Sequence, residues 1–209
     1  MKEKYKNKYR IKSHRKPGWD YSDDGIYFLT IVTQNRICNL GKIVNNKMIL
    51  SDFGKIVKNE FEKSFEIRDE LFLNEYIIMP NHIHMIIVLN KIDDMVGRDD
   101  TVGRGYTVEP HGRVALRITT NTTNIKPNRP IRQPKSISSF FAGYKSAVNS
   151  KIDDYIDENN LDIPKYNKNN HFFQPNYHDH IIRNDNEHKI ITAYIKNNPQ
   201  KWNNDTFNE

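Results

Sequence analysis

Cysteine is nearly absent from this 209-residue chain: Cys38 stands alone, so no internal disulfide can form, and there is neither a Cys-x-x-Cys pair nor a Cys/His cluster to make a zinc ribbon. Any metal must therefore be held by histidine and oxygen donors. No apolar run approaches the roughly 18 residues of a membrane-spanning helix. The basic start of the chain lacks the apolar stretch of a signal peptide, so the expected location is the cytoplasm, in association with the nucleoid. Internal repeats are lacking too. Acidic residues are in deficit: 26 Asp and Glu against 32 Lys and Arg give a formal net charge of +6. Such a surplus points first to polyanions, nucleic acid or an anionic membrane, and otherwise serves only solubility. Hydrophobic residues at 36% suffice for one core, while a charged fraction of 28% implies long polar loops, so one domain is expected rather than two.

What is present is concentrated in Met79-Pro80-Asn81-His82-Ile83-His84-Met85-Ile86-Ile87-Val88-Leu89. The run reads as a buried strand. Successive strand side chains point to opposite faces, which puts His82 and His84 on one face and Ile83, Met85, Ile87 and Leu89 on the other. Two neighbouring neutral imidazoles on a stiff support make most of a divalent-metal site and lack a further ligand.

Before this stretch, residues 1–18 carry a density of Lys and Arg that opposes compaction and reads as a flexible basic arm, able to lie along phosphates or simply solvated. Gly25 to Thr33, rich in aromatic and β-branched residues, suits a first core strand. Ile43-Val44 and Met48-Ile49-Leu50 flank Asn45-Asn46, a hairpin signal. Ser51 or Asp52 caps an amphipathic helix marked by Ile56, Val57, Phe61 and Phe65. Leu71 to Met79 forms a strand that Pro80-Asn81 turns back into the histidine strand as an adjacent antiparallel partner. From about 93 to 135 the chain turns rich in Gly, Pro, Asp and Asn and reads as a loop insertion. Ser136 to about Ile156 is a second amphipathic helix with Tyr144 on its apolar face. The segment from Phe172 to Asn184 is extended and belongs beside the first strand.

Asn184, Asp185, Asn186 and Glu187 then start a last helix through Ile190, Ile191, Tyr194 and Ile195, which Pro199 stops. Tyr194 and Asn198, four apart, point the same way. If this helix packs beside the histidine strand, the Asn198 amide oxygen can complete a site with His82 and His84, and Tyr194 stands beside it as a nucleophile. That arrangement suits transesterification at a phosphodiester with Mg²⁺ or Mn²⁺. Taken singly, each feature has a plainer reading: a His-x-His that is a structural accident of its strand, a core tyrosine, a helix stop before proline. Tyr144 and Tyr177 are the rival tyrosines, Tyr144 reading as core and Tyr177 as site-lining. Arg183, Lys189 and Lys196 are candidate cations near the phenol, and Arg183, Tyr177, His180, Lys196 and Lys189 are candidate DNA contacts.

Met79-Pro80-Asn81-His82-Ile83-His84 resembles the His-hydrophobic-His signature of the HUH single-tyrosine transposases. Gln174-Pro175-Asn176-Tyr177-His178-Asp179-His180-Ile181-Ile182-Arg183-Asn184, followed by Ala193-Tyr194-Ile195-Lys196-Asn197-Asn198-Pro199, resembles their REP-associated branch. The resemblance spans the chain apart from the basic arm and the insertion, and departs from the mobile branch in the insertion and in Asn198, where glutamine is usual. It implies a ferredoxin-like α/β (α+β) fold with an antiparallel sheet, helices on one face, His-x-His on a central strand and the catalytic Tyr194 on a late helix. Residues 19–209 would then form one catalytic domain. It further implies a divalent metal on His82, His84 and Asn198, a 5′-phosphotyrosine intermediate, single-stranded hairpin DNA as partner, and a monomer or homodimer. The alternative is a domesticated, non-catalytic hairpin DNA or RNA binding protein, and a third reading is a metal-dependent nuclease using water.

Overall fold

The computed structural model describes residues 19–91 and 133–208, together with the backbone of β1 (Lys4–Tyr5) and β2 (Lys8–Tyr9), which pair antiparallel. The rest of the expected basic arm and the bulk of the expected insertion at about 93–135 lie outside the described residues. The chain divides into two units, Met1–Lys91 with Arg132–Glu209, and Ile92–Ile131. The elements below belong to the first.

In chain order they are β3 (Gly25–Val32), the hairpin β4 (Gly41–Val44) and β5 (Lys47–Leu50), α1 (Asp52–Glu66), β6 (Leu71–Ile78), β7 (His82–Leu89), α2 (Ile137–Glu158), β8 (His178–Ile182) and α3 (Asp185–Asn197). A 3₁₀ segment, Asn198–Asn204, continues from α3. The main sheet runs β6-β7-β3-β8, every neighbour antiparallel. With α1 between β3 and β6 and α2 between β7 and β8, this is the ferredoxin-like order expected from the sequence.

Local chemistry explains the boundaries. Asn45 and Asn46 adopt φ of 50° and 60°, the left-handed pair that a tight hairpin turn requires, and β4–β5 forms its own two-stranded sheet. Ser51 caps α1, its side chain accepting from the Gly54 N–H, and Ser136 caps α2 in a reciprocal box with Ser139. Pro80 and Asn81 form a two-residue turn in which the Met79 N–H donates to the His82 carbonyl at 2.8 Å. That turn fixes the register Ile78 opposite Ile83, and with it the face on which each histidine lies.

One face of the sheet, carrying Tyr27, Leu29, Ile31, Ile83, Met85, Ile87 and Leu89, packs against α1 and α2 through Val57, Phe61, Phe140, Tyr144, Val148 and Ile152. Each of these larger side chains contributes on the order of 1.5–3 kcal/mol by leaving water. Tyr144 lies in this core, its hydroxyl donating to the Val57 carbonyl at 3.1 Å. The opposite face carries a smaller cluster, Ile86, Ile182 and Ile195, flanked by Ile26, Phe28, Ile77 and Ile191. Here α3 docks. The expectation of helices on one face therefore describes α1 and α2 but not α3, because the side chains of β7 that alternate away from the main core supply a second apolar patch for it.

Candidate active site

Register assembles the site. On the α3 face, His84 stands opposite Thr30 of β3, and Thr30 in turn stands opposite His178 of β8, so the two central strands and the edge strand β8 present His84, Thr30 and His178 in a row, with His82 one step along β7 opposite Val32. His82 and His84 are 0% and 2% exposed, and their rings lie 4.5 Å apart. Burial drives the His82 imidazole down to about 3, and burial first, then the neighbouring His82 and His178, hold His84 well below the usual imidazole range against an opposing pull from Asp205. Both rings are neutral near pH 7, the form that ligates metals.

The outer nitrogens are spoken for. His82 Nδ1 lies 2.8 Å from Asn81 Oδ1, and His84 Nδ1 lies 2.7 Å from the Thr30 hydroxyl. The inner ones face each other's neighbourhood: His84 Nε2 is 3.2 Å from the Tyr194 hydroxyl, and His82 Nε2 is buried with no hydrogen-bond partner. Asn198 is 1% exposed, and its Oδ1 is likewise buried and unpartnered. Both atoms are therefore free to meet a cation or a further donor. Asp205, just past the 3₁₀ segment, brings a carboxylate oxygen and the two histidine donors all within 4.8 Å of one another. Two neutral imidazoles, a carboxylate and a spare amide oxygen fit a divalent cation.

Tyr194 is 39% exposed, its ring 5.2 Å from that of His84 and edge-on to Phe28 at 6.1 Å. Its phenol is pushed up, by burial first and Asp205 second, with a hydrogen bond from the Asn198 side chain working the other way. The C-terminal segment roofs the site: the Phe207 ring lies 4.7 Å from His82, 6.1 Å from His84 and 5.8 Å from His178, and Trp202 lies 6.1 Å from His82.

Of the residues singled out in the sequence, His82, His84, Tyr194 and Asn198 come together. The others divide. Tyr177 is buried on the opposite face, stacked on Phe141 at 4.3 Å, because its parity in the extended segment is opposite to that of His178. His180 does lie on the α3 face, opposite Phe28, with Nε2 2.6 Å from the Glu187 carboxylate. Glu187 is held low by the Arg183 backbone N–H, then by His180. The Arg183 side chain and Lys189 are exposed, and Lys196 pairs with Glu75 on β6 at 3.0 Å. None of these three cations is among the groups acting on Tyr194. Thr30, Asn81, Asp205 and Phe207 were not singled out from the sequence as site residues. Asn81 stands in the histidine motif itself, and the other three carry no local signal.

No family model matches the chain. It is similar to a protein of Haemophilus influenzae described only as uncharacterized, 29% identical over 197 residues that cover 93% of this chain and 91% of that one. Among solved structures it is similar to a REP-associated tyrosine transposase bound to a REP hairpin. That likeness has a TM-score of 0.48 and 16% identity, over 90% of this chain and 74% of the other. No helix among the described residues is long and apolar enough to cross a membrane.

Proposed function

We propose that the protein is a DNA strand transferase that cleaves and rejoins single-stranded, hairpin-associated DNA through a 5′-phosphotyrosine on Tyr194. The observation that carries this reading is the 3.2 Å approach of the Tyr194 hydroxyl to His84, one of two buried neutral histidines whose donors lie within 4.8 Å of the Asp205 carboxylate, while the Asn198 side chain hydrogen-bonds the same tyrosine and keeps its Oδ1 unpartnered. A half-exposed tyrosine against such a group is poorly placed for packing and well placed for attack from solvent. A divalent cation on these donors, Mg²⁺ or Mn²⁺ by their mixed nitrogen and oxygen character, would polarise the scissile phosphate.

The phenolic oxygen of Tyr194 attacks phosphorus in line, the bond to the 3′-oxygen breaks, and that oxygen leaves as a hydroxyl after taking up one proton. The phenol gives up a proton in the same exchange. One phosphodiester replaces another, so rejoining by a 3′-hydroxyl needs no nucleotide cofactor. The sequence motifs shared with the REP-associated branch support hairpin DNA as the substrate class, the net charge of +6 supports a polyanion, and the protein acts as a monomer or homodimer whose catalytic domain spans 19–209 with an insertion at about 93–135.

The test is incubation with end-labelled single-stranded hairpin DNA and Mn²⁺, followed by denaturing electrophoresis. The expected result is a denaturation-resistant adduct that Tyr194→Phe abolishes. Binding without any adduct would favour the non-catalytic hairpin-binding reading, and cleavage surviving in Tyr194→Phe would favour a water nucleophile.

A further inference from the structure

Asn81 is 1% exposed, and its side chain makes three contacts. Its Nδ2 donates to the Arg36 carbonyl at 3.0 Å and to the Phe207 carbonyl at 2.7 Å, while its Oδ1 lies 2.8 Å from His82 Nδ1. Two carbonyls can only accept, so the nitrogen of the amide must face them and the oxygen must face the imidazole. An amide oxygen can only accept as well. His82 Nδ1 therefore carries the proton, and Nε2, the buried atom without a partner, carries the lone pair.

The surroundings of Asn81 are built to keep it there. The Arg36 carbonyl is presented by a turn in which Asn35 and Arg36 both hold left-handed backbone, φ 53° and 56°, uncommon for residues other than glycine. The Asn81 carbonyl receives the Thr33 N–H at 2.8 Å and the Thr33 hydroxyl at 3.0 Å. At the far end, Phe207 lies two residues after Asp205, and its own N–H donates to Asp205 Oδ1 at 2.7 Å. Arg36 grips the same tail, its Nη1 donating to the Thr206 carbonyl at 3.1 Å and its guanidinium lying over the Phe207 ring.

We infer that Asn81 is the positioning residue of the metal site, its oxygen setting the His82 tautomer that frees Nε2 for a cation and its nitrogen anchoring the C-terminal tail that delivers Asp205. One side chain thus joins the strand half of the site to a carboxylate more than a hundred residues away in sequence. The inference rests on the metal-site part of the proposed function and is independent of whether DNA is the substrate.

The test uses the full-length protein. Long-range ¹H–¹⁵N correlation spectra of the metal-free form, with His82 assigned by its loss in His82→Gln, should show His82 protonated on Nδ1. Protonation on Nε2 would overturn the inference outright. Titration with Mn²⁺, followed by the paramagnetic resonance of the free ion, should show roughly 10–100-fold weaker binding in Asn81→Ala, the usual loss when an outer partner of a metal ligand is removed. Unchanged affinity in a folded Asn81→Ala would also overturn it. Asn81→Asp separates the two roles: an oxygen still accepts from His82 Nδ1, but two carbonyls lose their donor. The tautomer should persist while Trp202 fluorescence, read in a Trp19→Phe background, reports release of the tail. Should Asn81→Ala fail to fold, the wild-type tautomer and Asn81→Asp decide the matter, a tail that stays docked in Asn81→Asp counting against the inference. A site that binds Mn²⁺ as described but forms no DNA adduct would sink the strand-transfer reading and leave this one standing.

Discussion

The Tyr194 hydroxyl stands 3.2 Å from His84 Nε2, and because His84 Nδ1 is already engaged by Thr30, that same Nε2 is the atom His84 has to offer a metal. An imidazole nitrogen has one lone pair. In the tautomer that leaves this lone pair on Nε2, with Nδ1–H donating to Thr30, the phenol and a cation compete for it, and metal binding would release Tyr194 from His84. Removing the hydroxyl should strengthen metal binding: Tyr194→Phe is expected to bind Mn²⁺ about 2–10-fold more tightly, the equivalent of one hydrogen bond, while losing all adduct formation. Calorimetric titration of both proteins checks it: equal binding in the variant would mean that the phenol does not compete, and weaker binding that it is itself a ligand.

The third ligand is a choice between a carboxylate and an amide. Asp205 carries charge and sits within 4.8 Å of both histidine donors, so Asp205→Asn should cost more Mn²⁺ affinity than Asn198→Ala. Saturating the wild type at about 100 times Kd should stabilise it by about 2.7 kcal/mol, read as a rise in melting temperature that chelation reverses. A melting temperature indifferent to Mn²⁺ would remove the cation from this site.

Acid should weaken the fold through the same pair. His82 titrates at about 3 in the folded protein and His84 also lies well below its ordinary value, so between those values and about 6.5 the unfolded chain binds protons that the folded one does not. Stability from this source is complete above about 6.5 and declines as pH falls toward 3. Thermal melts from pH 7 to pH 4 should show the decline, and His82→Gln should flatten part of it. A slope unchanged in that variant would assign acid sensitivity elsewhere.

Tyr177 separates packing from binding. Its ring stacks on Phe141 inside the main core, so Tyr177→Ala should destabilise by about 3–5 kcal/mol, as other large-to-small aromatic changes do. Tyr177→Phe, which keeps the ring, should leave hairpin DNA affinity unchanged in a filter-binding assay. Lost affinity in that conservative variant would place its hydroxyl at the DNA after all.

Much of the architecture follows from periodicity. The alternation in β7, the Asn45-Asn46 turn, the Ser51 cap and the apolar stripe of α2 are local effects whose causes lie within a few residues of each other, and the structure has each where the sequence places it. The side of the sheet that α3 takes was not legible, because a helix with one apolar stripe can dock on either face and only the competition for Ile86 and Ile182 decides.

For the site, residue types and spacing alone put His82 and His84 side by side on one strand face, since strand parity leaves no choice, and put Tyr194 and Asn198 one helical turn apart. That the two pairs meet, that Asp205 joins them while Tyr177 turns away into the core, and that Asn81 faces His82 with its oxygen were decided by tertiary structure. Each depends on contacts between segments far apart in the chain, where packing of α3 and of the tail over the sheet sets distances that no local preference encodes.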